Sequence, residues 1–315
     1  MKELHQDHHH HAQEWPLTRL WRWMERWTGP DWIKLAIINS LSHLLAFWSL
    51  NYGLAKIAQY QWFQRYKLQK EVFKKTGLVR AAFKMNIGYD LVSSHLVAFL
   101  FEKILRGRFA TSRPSLAQND KARKNDTALK NDTALKNGGN TRNDATENDT
   151  DNNGWSGLTF QGPLPSTFTT VWQICVAYIG YDLMFYLSHR ALHSNLLYQR
   201  FHKQHHEFVA PIGLSSSYQG TLEGITQMFN WYLPIGFAGW LNRKNGGLHG
   251  STLFWYNVFR WVETVDAHCG YAFPFSPFHW IPLFGGAVAH DKHHSMVFVN
   301  YGASNVWDYL LGTSK

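Results

Sequence analysis

The stretch SHRALHSNLLYQRFHKQHHEF, residues 188–208, holds five of the histidines that decide how this chain folds. HDKHH at 290–294 adds three more, so that the clusters follow the patterns HxxxH, HxxHH and HxxHH. Residues three and four apart share a face of an α-helix, so each cluster is expected to direct its imidazoles toward one point. The eight histidines are His189, His193, His202, His205, His206, His290, His293 and His294.

The chemistry that suits these clusters is metal binding. A neutral imidazole binds iron, zinc, copper or nickel through a ring nitrogen, and eight imidazoles exceed what one ion can hold. A single histidine is usually an ordinary surface residue, but that interpretation does not explain three clusters with helical spacing. The pattern therefore predicts a two-metal site.

Composition restricts the classes of protein to which this chain can belong. Of the 315 residues, 15 are Trp, 14 Tyr and 21 Phe, an enrichment typical of a large apolar core or of aromatic belts at membrane interfaces. Cys175 and Cys269 form neither a CxxC motif nor a disulfide framework. The formal charge of +9 is spread along the chain without a nucleic-acid motif, which indicates anionic lipid headgroups rather than nucleic acid as the partner.

Apolar runs at 35–58, 86–105, 166–188, 222–241 and 250–265 are the candidate membrane segments. The last two form a hairpin, with NRKNGG as its turn, and this returns the chain to the side that it left. HKQHH and HDKHH then lie on one face of the membrane. The expected fold is an all-α integral membrane bundle of about four transmembrane helices, with a histidine-rich helical cap that holds the two metals.

Four segments differ in composition: a polar tail at 1–30, membrane helices with a basic loop at 31–111, an insertion at 112–156 and a catalytic domain at 157–315. The insertion repeats KNDTAL and has almost no aliphatic or aromatic content, so we expect it to be disordered. Its NDT sequons would be glycosylated if they face a lumen. These sequons begin at Asn125, Asn131 and Asn148.

Longer motifs surround the histidines. SHRALH, FHKQHHEFVAPIGL, ETVDAHCGYAFPFSPF and AHDKHHSMVFVNYGASNVWDYLLGTS together resemble the fatty acid hydroxylase and sterol desaturase superfamily. Within it, the sterol C-4 methyl oxidases are the most similar, because they carry HKxHHEF and ETxDxHxGY segments and a WDxxxGT ending. The resemblance covers roughly 160–315 and, more loosely, 30–105.

This resemblance implies a diiron oxygenase that uses O₂ to oxidise a C-4 methyl group of a sterol in the endoplasmic reticulum membrane. It implies a multi-pass protein with the active site on the cytosolic face, and His268 in DAHCGY as a ninth iron ligand. The sequence contains no GxGxxG dinucleotide motif. The resemblance accordingly implies electrons from external NAD(P)H, delivered by cytochrome b5 and its reductase.

Several carboxylates are candidates to orient the imidazoles. Asp182 lies seven residues before His189 and therefore on the same helix face, which suits a carboxylate that accepts an imidazole N–H. Further candidates for that role are Glu207, Glu263, Asp266 and Asp291. Helix caps or surface salt bridges are the competing interpretation of each.

Two departures from the family pattern leave the substrate open. Gly220 and Thr221 stand where many members have a His-Pro pair before an acidic residue, here Glu223, and Ala289 replaces another histidine. A sterol side-chain hydroxylase, a sterol C-5 desaturase or a sphingoid-base C-4 hydroxylase would use the same centre. From other classes, a dizinc membrane hydrolase would need no O₂. A metal transporter would hold its histidines at mid-membrane depth, away from charges such as Arg190 and Lys203.

Overall fold

The described part of this chain is mostly helical, with only two short strands. The computed structural model describes residues 16–70, 76–90, 95, 96, 98, 99, 157–281 and 283–315. Apart from Phe99, these residues belong to one unit that comprises 1–98 and 157–315. The all-α class predicted from the sequence is confirmed. The predicted insertion at 112–156 lies outside the described residues.

Helix α1 (Pro16–Arg26) lies within the segment that the sequence describes as a polar tail. Trp21 and Met24 are buried, and the Trp21 ring packs edge-on against Phe254 at 6.0 Å between centroids. The polar appearance of this segment arises from arginines that alternate with the apolar residues. One face of α1 is therefore part of the fold.

One continuous helix, Asp31–Gln59, is the only helix in the described ranges that is both long and apolar enough to cross a membrane. It consists of α2 (Asp31–Ser42), a π-helical segment (His43–Trp48) and α3 (Ser49–Gln59). Helix α4 (Thr76–Gly88) follows. Most of the 86–105 candidate lies beyond the described residues, and the predicted bundle of four membrane helices is not confirmed.

Three long helices form the framework of the second half: α5 (Thr167–Leu192), α7 (Thr221–Leu241) and α8 (Gly250–His268). Helices α5 and α7 are antiparallel, since Gln173 near the start of α5 donates to the carbonyl of Gly247 beyond the end of α7. At the other end, Asn230 donates to Ser188 at 2.8 Å. The antiparallel pair brings the end of α5 beside the beginning of α7.

Helix α8 runs parallel to α5. Thr170 and Thr252 approach each other near the starts of the two helices, and farther along the Tyr178 hydroxyl donates to Glu263 at 2.9 Å. The carboxyl ends of α5 and α8 therefore lie at the same end of the bundle. The hairpin of α7 and α8 matches the one that the sequence predicts, with a 3₁₀ turn at Arg243–Asn245.

Short elements complete the chain around this framework. They are α6 (Asn195–Leu197), a π-helical segment (Tyr198–His202), 3₁₀ turns (Gln64–Tyr66, His205–Glu207 and Gly213–Ser217), α9 (Pro277–Trp280), α10 (Gly286–Met296) and α11 (Val306–Leu310). At the hairpin turn, two-residue strands β1 (Leu158–Thr159) and β2 (Leu248–His249) pair in parallel. The chain therefore re-enters the described structure at the end of the bundle opposite the carboxyl ends of α5 and α8.

A close approach at this turn depends on Gly239 of α7. A Cβ atom there would lie 2.6 Å from Leu248 Cβ and 3.2 Å from the carbonyl oxygen of Gly157. We expect Gly239→Ala to destabilise the protein by about 1–3 kcal/mol, the usual cost of overpacking. Gly236→Ala, in the same helix but with nothing within 4 Å, is the matched control and should stabilise by about 0.5–1 kcal/mol. Thermal unfolding in detergent measures both, and equal shifts would contradict the packing argument.

Candidate metal centre

The last turn of α5 places the first two histidines. His189 and His193 are buried, and the helix ends at Leu192 with the N–H of His193 still donating to the carbonyl of His189. Their spacing of four residues puts both imidazoles on the same face. The end of α5 thus presents two imidazoles to the interior.

The second cluster does not lie on an α-helix. His202 ends the π-helical segment, and His205 and His206 occupy a 3₁₀ turn, with all three side chains buried. The 3₁₀ turn is tighter than an α-helix and the π-helical segment is wider. The angle between successive side chains therefore differs from that in an α-helix. Neighbouring histidines of this cluster consequently point to different places.

The nine predicted histidines come together as two groups. Within each group the ligating nitrogen atoms all lie within 4.8 Å of one another. Group A contains His189, His193, His202, His206 and His293; group B contains His205, His268, His290 and His294. The rings of His206 in group A and His294 in group B are 4.7 Å apart between centroids, so the groups are neighbours.

The expectation that each cluster points its imidazoles at one place is wrong for the second and third clusters. The structure divides HKQHH between the groups, and it divides HDKHH in the same way. On α10, His290 and His294 are one turn apart and share group B, whereas His293 points sideways into group A. Only HxxxH on α5 keeps both of its histidines in one group.

Within each group, the distances between ring nitrogens suit the coordination of one ion. In group A, His202 Nε2 lies 3.1 Å from Nε2 of both His189 and His206. In group B, the Nε2 atoms of His268 and His290 are 2.9 Å apart. Ligand nitrogens about 2.0–2.1 Å from an ion stand about 3 Å apart when they coordinate at roughly right angles. Lone pairs that face each other at this distance repel, and a cation between them changes the repulsion into attraction.

Backbone carbonyls hold the outer nitrogen of four rings. The Nδ1 atoms of His189 and His293 each lie 2.7 Å from a carbonyl oxygen, of Tyr301 and Val299 respectively. In group B, His268 Nδ1 lies 2.8 Å from the carbonyl oxygen of Thr264, and His205 Nδ1 contacts that of Tyr218. A carbonyl oxygen accepts a hydrogen bond and has none to donate, so these contacts keep N–H at Nδ1 and leave the Nε2 lone pair available to a metal.

Burial keeps the imidazoles neutral. It lowers the pKa of His206 to about 3 and the pKa of His189 and of His268 to about 4. Burial and the neighbouring histidines likewise lower the pKa of His290 and His294 well below the usual value. Metal binding requires the unprotonated ring, and the site supplies it at neutral pH.

Glu223 contacts a histidine of group A, although the sequence did not make it a candidate partner of an imidazole. It lies in the first turn of α7, is buried, and places Oε1 2.9 Å from Nδ1 of His202. Carboxylates that accept the outer N–H of a ligating histidine fix its orientation and raise its basicity. The signal was available in the sequence, because Glu223 occupies the acidic position of the family pattern.

Two other carboxylates hold the loop at 299–304, whose carbonyls contact His189 and His293. Asp308 accepts from the backbone N–H groups of Tyr301 and Gly302 at 2.8 and 2.7 Å. Asp182 accepts from the N–H and the hydroxyl of Ser304. This loop and its two carboxylates are called the carbonyl loop below.

The candidate carboxylates Asp182, Glu207, Asp266 and Asp291 have partners other than the imidazoles of groups A and B. Asp182 binds Ser304 and so acts on His189 only through the carbonyl loop. Glu207 accepts from the Tyr218 hydroxyl, and Asp291 accepts from Gln69. Asp266 lies beside Ser276 and His279, and burial raises its pKa. Their oxygens are directed by residues distant in sequence, which helical periodicity does not report.

A cleft opens beside group B. His268 and His290 line it, together with small residues that include Gly286 and Ala289. It is narrow and partly open to solvent. Ala289, where the family pattern has a histidine, contributes only a methyl group to this wall.

Comparison with known proteins agrees with the site. Residues 174–313 match the fatty acid hydroxylase family. The chain is 40% identical over 163 residues to methylsterol monooxygenase 2-2 of Arabidopsis thaliana, a match that covers 50% of this chain and 58% of that protein. It is 38% identical over 158 residues to methylsterol monooxygenase erg25B of Aspergillus fumigatus, covering 50% and 52%.

A differently named relative matches equally well. Very-long-chain aldehyde decarbonylase GL1-8 of Oryza sativa subsp. indica is 40% identical over 163 residues, covering 50% of this chain and 58% of that protein. The chain thus spans somewhat more than half the length of these relatives. No solved structure gives a significant match. The segment that contains all nine histidines therefore matches the fatty acid hydroxylase family and is similar to methylsterol monooxygenases.

Proposed function

We propose that this protein is a membrane-bound non-haem diiron oxygenase of lipid metabolism, and that it acts as a sterol C-4 methyl oxidase. The observation that carries the proposal is the pair of adjacent, buried histidine groups inside a fatty acid hydroxylase domain. Similarity to methylsterol monooxygenases supports the sterol substrate.

Two iron ions in groups A and B would supply the reduction of O₂ and the oxidation of an unactivated C–H bond. The ligands in this proposal are His189, His193, His202, His206 and His293 for one ion, and His205, His268, His290 and His294 for the other. The chain's own part is to bury nine neutral imidazoles and to orient five of them, four through carbonyl oxygens at Nδ1 and His202 through Glu223. All-imidazole ligation differs from the carboxylate-rich centres of soluble diiron bundles.

The electrons are proposed to come from external NAD(P)H through cytochrome b5 and its reductase. Arg190, Lys203 and Lys292 are exposed, and each directly follows or lies between histidines of the two groups. A basic surface over the metal centre suits an acidic donor protein, since opposite charges guide and orient the encounter.

Exposed apolar side chains support a multi-pass membrane protein of the endoplasmic reticulum. On α7 they recur every three or four residues over about 27 Å of helix, close to the thickness of the hydrocarbon layer. They are Leu222, Ile225, Phe229, Leu233, Phe237 and Trp240. Helix α5 also exposes apolar side chains, namely Phe168, Val171, Ile179 and Leu187. We place the histidine groups, at one end of these helices, on the cytosolic face.

This orientation predicts glycosylation of the 112–156 segment. The described chain resumes at Gly157, whose carbonyl accepts from the N–H of Leu248 at the end of the bundle away from the histidines. With the histidines cytosolic, the preceding segment is lumenal, and we expect its sequons to be modified after expression in a eukaryotic host. Glycosidase treatment should then shift the gel band, and the triple variant Asn125→Gln, Asn131→Gln and Asn148→Gln should show no shift. A wild-type band that does not move would contradict this orientation.

The equal identity to an aldehyde decarbonylase favours a second candidate, in which a long-chain aldehyde is the substrate. The two functions differ in the product. Purified protein loaded with iron should convert a 4-methyl sterol to a product that carries ¹⁸O from ¹⁸O₂ when NADH, cytochrome b5 and its reductase are supplied. Conversion of a fatty aldehyde without sterol oxidation would establish the second candidate, and activity that persists without O₂ would favour a hydrolase.

A further inference from the structure

The cleft beside group B is lined in part by a buried ion pair that is not among the proposed metal ligands. Arg260 and Glu263 of α8 line this cleft together with His268 and His290. Their side chains form an ion pair and are only 1% and 7% exposed. Desolvation of two buried charges can cost more free energy than their attraction returns, so this pair is weak evidence for a purely stabilising role.

The geometry fixes the Glu263 carboxylate. The Tyr178 hydroxyl donates to its Oε1 at 2.9 Å, and the Arg260 guanidinium pairs with Oε2. Arg260 in turn lies over the Tyr181 ring, 3.5 Å from its centroid, with Trp231 at 5.2 Å. Aromatic rings that surround a guanidinium stabilise its charge in an apolar setting. The carboxylate is thus held from two sides by donors.

This arrangement selects the chemistry of a ligand. An ionised carboxylate has about four acceptor positions and no donor, and two donors leave positions available. A hydroxyl group can donate to it, whereas a ketone or an aldehyde cannot. Apart from Thr264 and Asn305, the other walls are aromatic or small, with Phe185 and Ala267 as examples, and suit a lipid.

We propose that Glu263, held by Arg260 and Tyr178, accepts a hydrogen bond from a hydroxyl group of the lipid substrate. This proposal rests on the proposed function and names the substrate's recognition group. Glu263 and His268 are five residues apart on α8, about 7.5 Å along the helix axis. Because Glu263, His268 and His290 line the same cleft, a carbon near the bound hydroxyl, and not a remote one, would face His268 and His290. A sterol is placed with its hydroxylated ring toward group B, not its side chain, and a fatty aldehyde lacks the donor.

Binding of three probes to purified wild-type protein without O₂ tests the proposal. The probes are a 4-methyl sterol with a free 3-hydroxyl, its 3-ketone and its 3-deoxy analogue. We expect the alcohol to bind at least about tenfold more tightly than either analogue, the effect of one hydrogen bond to a charged group. Equal binding of the alcohol and the ketone would overturn the proposal, and this comparison requires no variant.

Glu263→Gln supplies an amide that donates as well as accepts. The affinity of this variant for the ketone relative to the alcohol should rise about tenfold, while its metal content stays at the wild-type level. A merely structural role for Glu263 would weaken all three probes alike, and that outcome would overturn the proposal. Glu25→Gln, the same chemical change on an exposed residue of α1, is the matched control and should leave the preference unchanged.

The binding experiment also separates this proposal from the proposed function. Protein that prefers the alcohol but never oxidises it would support the role of Glu263 and contradict the oxygenase. Protein that oxidises sterols without preferring the alcohol would support the oxygenase and contradict the role of Glu263.

Discussion

His202→Ala is expected to remove the group A metal and to lower turnover by more than about 100-fold, the upper end of the loss seen when only a supporting residue is changed. The reason lies in its central place. Its Nε2 atom is 3.1 Å from those of both His189 and His206, and its Nδ1 contacts Glu223. Without this ring, group A loses a ligand that connects two others. Mass spectrometric metal analysis of detergent-purified protein should find about half of the wild-type iron.

His249→Ala is the matched control for this experiment. His249 is also buried, but it lies at the start of α8, where its Nδ1 accepts from the N–H of Ser251. Loss of this helix cap should lower the free energy of unfolding by about 1 kcal/mol without altering the iron content. If His202→Ala kept all of its iron, or if both variants lost it equally, groups A and B would not be separate metal sites.

Much of this centre could be predicted from the sequence, because histidine spacing is a local property. HxxxH on α5 behaves as helical periodicity requires. The division of HKQHH could not be predicted, since it depends on a π-helical segment that ends at His202 and a 3₁₀ turn that begins at His205. A pattern that assumes one helical period has no means of detecting such changes.

The carboxylates show where periodicity stops being informative. Asp182 does share a face with His189, yet seven residues correspond to about 10.5 Å along the helix, too far for direct contact. What holds the outer nitrogen of His189 is the carbonyl of Tyr301, 112 positions away in the chain. Long-range contacts of this kind come from tertiary packing. Asp308, which holds the same loop, lies in the WDxxxGT ending, but nothing in that motif connects it with His189.

Asp308→Asn is expected to weaken metal binding about 10- to 100-fold, although Asp308 contacts no histidine of either group. Asp308 is fully buried and accepts from Tyr301 N–H, Gly302 N–H and the Thr313 hydroxyl. An asparagine keeps the shape, but its NH₂ group would face a backbone N–H that needs an acceptor. The carbonyl loop should move, and with it the oxygen atoms that orient His189 and His293.

Asp291→Asn distinguishes this mechanism from the sequence-based expectation. Asp291 directly follows His290, so proximity in sequence predicts the larger effect there, whereas the structure has it accept from Gln69. Titration of metal-free protein with Fe²⁺, followed by the absorption of the bound metal, should show a weaker group A in Asp308→Asn and wild-type affinity in Asp291→Asn. Equal affinities would mean that the carbonyl loop does not orient the ligands. If Asp308→Asn binds as many iron ions as the wild type but absorbs at a different wavelength, the carbonyl loop sets the geometry of the ligands. A general loss of stability would not alter the spectrum of the metal that stays bound.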